Sequence, residues 1–126
     1  MSATNGTFLL GIEQFNRAEY FEAHETWETL WLTASGEDKI FLQGAIQLAA
    51  AFHQWERGNE RGTLSLLRRG REKLAGFPRI YRDIRVDRLS EQAADWIEAL
   101  AGEARTPPAS PPRIELEPAA PGAPGS

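Results

Sequence analysis

From Thr7 to about residue 102 the apolar positions recur at three- and four-residue intervals, and no stretch alternates long enough to suggest strands. The pattern predicts five helices. The first covers 7–16, with Thr7 as N-cap and Phe8, Ile12 and Phe15 on one side. The second covers 19–34 and is ended by Gly36. The third covers 38–57, and the fourth covers 60–75 after a Gly58-Asn59 turn. Gly76 and Pro78 then break the chain. The last helix covers 88–102 behind an Asp87 N-cap, with Leu89, Ala93, Trp96, Ile97 and Leu100 facing inward. Short connections make successive helices antiparallel neighbours, so the expected fold is all-α, a compact bundle of about five helices. The third helix is apolar on nearly every side, which marks it as the buried central one.

The chain's 126 residues suit one domain. Residues 7–104 form the expected bundle, after a flexible N-terminus at 1–6. From 105 to 126 the composition changes: the segment TPPASPPRIELEPAAPGAPGS holds seven of the eight prolines and two large aliphatics. Such a stretch buries too little apolar surface to offset its ordering entropy, and a disordered tail is expected. No apolar run approaches the roughly 20 residues of a membrane span, and the N-terminus lacks a secretory pattern. With no cysteine there is no disulfide framework, thiolate metal site or cysteine nucleophile. A cytoplasmic protein is the expectation, with no membrane partner.

The chemistry concentrates in YFEAHETWETLW, residues 20–31. On a helical wheel with His24 at zero, Trp31 and Glu28 fall about 20° and 40° to either side. Tyr20, Phe21 and Trp27 lie within about 60° of the same line, which puts His24 at the centre of an aromatic face. The third helix carries one polar line, Gln43, Gln47 and Gln54, with Ala50 between. A buried glutamine without partners costs about 1–3 kcal/mol, so the His24/Glu28 face is expected to meet the Gln43/Gln47 stripe. Gly44, Ala45, Ala49, Ala50 and Ala51 would permit close approach. The candidate polar site is therefore Tyr20, His24, Glu28, Trp31, Gln43 and Gln47.

Two readings of that site compete. In the first, the polar groups form a buried structural network in a self-associating binding or interaction module, and His24 is a stability element. In the second, His24 and Glu28 serve a metal- or small-ligand-dependent hydrolase-like enzyme, as ligands of a divalent cation or as an acid/base pair. HETWE lacks the second histidine of a zinc-protease motif, and its Glu25 points away from the face. His53 reads as a core or interface histidine. The net charge of −4 argues against a nucleic-acid binder, although Arg61, Arg68, Arg69, Arg71 and Lys73 gather on and around the fourth helix. The small-molecule ligand is not named by these residues.

FNRAEYFEAHETWETLW followed by FLQGAIQLAAAFHQWERGNERG resembles the Domain of Unknown Function 309 family of small all-helical proteins. The family's His-x-x-x-Glu-x-x-Trp motif is matched by His24, Glu28 and Trp31. The likeness runs on through Phe15, Asn16, Tyr20, Phe21 and Glu22, then Leu42, Gln43, Gly44, Gln47, Ala50, His53, Gly58, Asn59 and Gly62. Members often carry a second histidine where Gln54 stands here. The resemblance implies a bundle around one central helix and no established activity.

Overall fold

The structure, a computed structural model, describes residues 3–103 and 106–118. Five helices carry the described chain: α1 (Ala3–Asn16), α2 (Tyr20–Trp31), α3 (Gly36–Glu56), α4 (Glu60–Leu74) and α5 (Val86–Ala101). Between α4 and α5 runs a small antiparallel hairpin of β1 (Ile80–Tyr81) and β2 (Ile84–Arg85). The all-α bundle holds. The strands escape the sequence pattern because two residues are too few for a period of two to register.

α3 is the central element, packed against both α2 and α4, while α1 covers α2 and α5 covers α4. Ten of its residues are buried, among them Phe41, Leu42, Leu48 and Phe52. Its contact with α4 depends on two glycines. A Cβ at Gly44 would lie 3.3 Å from the Gly70 carbonyl oxygen, and a Cβ at Gly70 would lie 3.0 Å from the Gly44 oxygen. The close approach expected from the small residues of α3 is thus made toward α4. α1 and α2 interlock through Trp27, which is fully buried and donates its indole N–H to the Phe8 carbonyl at 3.2 Å. Only a missing side chain at Gly11 makes room, since a Cβ there would meet the indole nitrogen at 2.1 Å.

Three helix starts differ from the expected ones. α1 begins at Ala3, which leaves Thr7 inside the helix and not at its cap. Gly36, with φ of +61°, opens α3 instead of closing α2. Asp87 lies in the first turn of α5, because the chain enters that helix straight from β2. Its carboxylate takes two hydrogen bonds from Arg85, at 3.0 and 2.9 Å, in place of a capping role. Asn59 does cap α4, accepting from the Gly62 N–H at 3.0 Å, and Gly58 supplies the positive φ of the turn.

Of the tail expected to be disordered, residues 104, 105 and 119–126 lie outside the described residues. Disorder does not describe the stretch 113–117. Ile114 is only 2% exposed, and Asn16 brackets it, accepting from its N–H at 2.7 Å and donating to its carbonyl at 3.0 Å. Gln92 does the same for Arg113, at 2.7 and 2.8 Å. Backbone bonds from Arg85 to Glu115 and from Glu117 to Asp83 lay the segment along the hairpin. One aliphatic anchor and two amide side chains from distant helices hold this RIELE stretch against the bundle.

Two measurements check these contacts. Gly70→Ala is expected to lower the free energy of unfolding by about 1–2 kcal/mol, overpacking outweighing the helix-propensity gain of about 1 kcal/mol. Gly6→Ala is the control, with nothing within 4 Å of the added methyl, and should be neutral or stabilising. The second concerns acid. The paired Arg85 guanidinium holds the Asp87 carboxyl down to about 2 from an ordinary 3.8. A carboxyl lowered in the folded state stabilises the fold above its unfolded pKa and ceases to do so as pH falls through the folded value. In urea titrations, Asp87→Asn should therefore be less stable than wild type near neutrality, and the gap should close between pH 3.8 and about 2.

Candidate functional site

α2 buries Tyr20, Ala23, Trp27 and Leu30. On the helical wheel that face is centred about 80° from His24, because Ala23 and Leu30 weigh as much in packing as the aromatics do. His24 is therefore at the border of the buried face and not at its centre. Phe21 turns outward with 48% exposure. Its ring faces both histidines, 6.4 Å from His24 and 5.3 Å from His53.

That rotation opens the polar groups to solvent. His24, Glu28 and Trp31 from α2, Gln43 and Gln47 from α3, and Arg69 from α4 line a cleft of about 350 Å³. Ile46, Ala50 and Leu66 supply its apolar surface. The Glu28 side chain is 52% exposed and that of His24 26%, while Gln47 is buried. His24 Nε2 and Glu28 Oε2 stand 3.9 Å apart, within ion-pair range and beyond hydrogen-bond reach. The Gln47 oxygen accepts from Lys73 Nζ at 3.1 Å, so its partner comes from α4. The Nδ1 of His24 is buried and without a hydrogen-bond partner. Lys39 caps the Trp31 ring at 4.3 Å.

Five of the six candidate residues thus meet: His24, Glu28, Trp31, Gln43 and Gln47. Tyr20 does not. It is packed against Phe15 and Phe52, at 5.3 and 5.5 Å, inside the core. Burial, with help from Glu56, pushes its hydroxyl up to about 12, so it stays protonated at neutral pH. Glu22 is exposed and His53 lies outside the lining. Gln54, third in the stripe, accepts from Asn59 at 3.0 Å and braces the α3–α4 turn.

Arg69 lines the cleft and Lys73 reaches its Gln47, and neither was assigned there from the sequence. They were legible only as part of a basic run, and nothing local tells which of its side chains reach toward α3. Arg68 and Arg71 go to the other side of α4, into a broader groove of about 560 Å³ shared with Glu72, Ser90 and Ile97. That groove is larger but holds no histidine or amide. The smaller cleft carries more varied chemistry.

As metal ligands, His24 and Glu28 make two donors where a protein-held zinc takes three or four. Among the described residues no group of three or more His, Cys, Asp and Glu is placed to hold a metal ion. The residues present do not complete the cation site that the pair suggested.

The Nδ1 nitrogen, without a hydrogen bond and 3.9 Å from Glu25 Oε2, has a measurable consequence. A buried orphan polar atom costs about 1–3 kcal/mol, so His24→Phe, which keeps the ring and removes that atom, should raise stability by up to about 1 kcal/mol. A clear loss of stability in urea unfolding would mean that the imidazole is a structural element after all.

No curated protein matches this chain. Among the described residues no helix is long and apolar enough to cross a membrane. Residues 8–66 match the family described as Domain of unknown function (DUF309). The match spans α2, most of α1, all of α3 and the first part of α4, and it stops short of Arg69 and Lys73. Over residues 8–66 this chain is similar to the Domain of unknown function (DUF309) family.

Proposed function

We propose that the chain is a binding module whose recognition site is the α2–α3–α4 cleft and whose ligand is a small polar molecule. The observation that carries this is the convergence of His24, Glu28, Gln43, Gln47 and Arg69 on one concavity over an apolar floor. Its volume, about 350 Å³, falls within the range of about 300–1,000 Å³ usual for small-molecule sites. An unsatisfied buried nitrogen at its edge supports the same reading, since strain of this kind persists where function requires it. The hydrolase-like alternative draws on the same pair, His24 and Glu28. The two groups stand 3.9 Å apart.

The test is ligand capture. Full-chain protein is incubated with a small-molecule cell extract, separated from it and denatured, and the released compounds are identified by mass spectrometry. Wild type should enrich a compound that the Glu28→Ala/Arg69→Ala double variant does not. Equal enrichment by both proteins, or none by either, would sink the proposal.

A further inference from the structure

The two sides of the cleft differ in what they offer a ligand. α2 presents an acceptor, the Glu28 carboxylate, whose one ion pair among the described residues is a 3.9 Å approach to His24. α4 presents donors. Arg69 forms no ion pair among the described residues, which leaves its guanidinium free. Lys73 donates to Gln47, and this contact sets the orientation of the amide. An ammonium has no lone pair, so the oxygen must face it and the amide NH₂ is left for the cleft. α3 lies between these two helices as their shared neighbour and supplies the floor through Ile46 and Ala50.

A ligand that satisfies both sides at once carries a cationic donor at one end and an anionic acceptor at the other. On this basis we infer that the cleft takes a small zwitterion, an amino-carboxylate. Its ammonium meets Glu28, and its carboxylate meets Arg69 and the Gln47 amide. The short methylene chain between them lies over Ile46 and Ala50. A simple anion would leave Glu28 facing its negative charge within one small cavity, and a simple cation would do the same with Arg69. The inference rests on the reading of the cleft as the binding site and adds the class of ligand.

The experiment is an NMR titration of the full chain that follows the His24 imidazole and the Trp31 indole. The probes are β-alanine, γ-aminobutyrate and ε-aminocaproate, which place the two charges at increasing separations. Butyrate and butylammonium are the single-ended controls. Saturable shifts are expected with at least one amino-carboxylate, at a concentration about tenfold or more below either control, since each control forgoes one of the two charge-assisted contacts. Glu28→Gln should weaken the zwitterion about tenfold and spare butyrate, while Arg69→Gln should weaken it equally and spare butylammonium. If butyrate or butylammonium binds as tightly as every amino-carboxylate, the zwitterion inference is wrong and the cleft remains a binding site. If no amino-carboxylate gives a saturable shift, the inference is wrong as well, and ligand capture alone then judges the cleft.

Discussion

Everything in this fold is arranged around the need to cover α3. Its apolar surface runs almost all the way round, and burying such a helix requires neighbours on several sides. α2 and α4 meet that need directly, and α1 and α5 cover them in turn. The α4 contact is the closest, because Gly44 and Gly70 let the two backbones come within reach of each other's carbonyls. The part of α3 that carries Gln43 and Gln47 is where polar side chains are needed, and there the flanking helices leave a cleft instead of a seal. The site is thus a by-product of how one helix is covered.

The rotation of α2 decides what that cleft contains. Trp27, seated over Gly11 and bonded to the Phe8 carbonyl, fixes which side of α2 faces inward. With Trp27 inside, Tyr20 is carried into the core and Phe21 out of it. His24 is left between, with one ring nitrogen buried and the other near Glu28.

The other end of the molecule is closed by different means. The hairpin turns through Arg82 and Asp83, both at positive φ, a conformation unfavourable for residues with side chains. Arg82 is retained there by the Phe8 ring at 4.2 Å and by Asp38 at 3.7 Å, while Tyr81 donates to the same carboxylate at 2.5 Å. The 113–117 segment is then clamped along the hairpin by Asn16 and Gln92. None of these residues lines the cleft.

The sequence by itself determined the helices, their order and the centrality of α3, because those follow from a 3.6-residue apolar period and from local turn chemistry at Gly58 and Asn59. It also indicated that His24, Glu28, Gln43 and Gln47 come together, since they lie on the facing sides of adjacent helices and line one cleft. Tertiary structure decided the rest. Whether a polar group is sealed or exposed depends on a few tens of degrees of helix rotation, which Ala23 and Leu30 set as firmly as the aromatics did. Whether Arg69 and Lys73 belong with His24 depends on how α4 lies across α3 at Gly44 and Gly70, a contact more than twenty residues away along the chain. The RIELE stretch became ordered because Asn16, 98 residues distant in sequence, offered both hydrogen bonds of a missing strand. Periodicity records what a residue's own helix requires, and such long-range partners leave no trace in it.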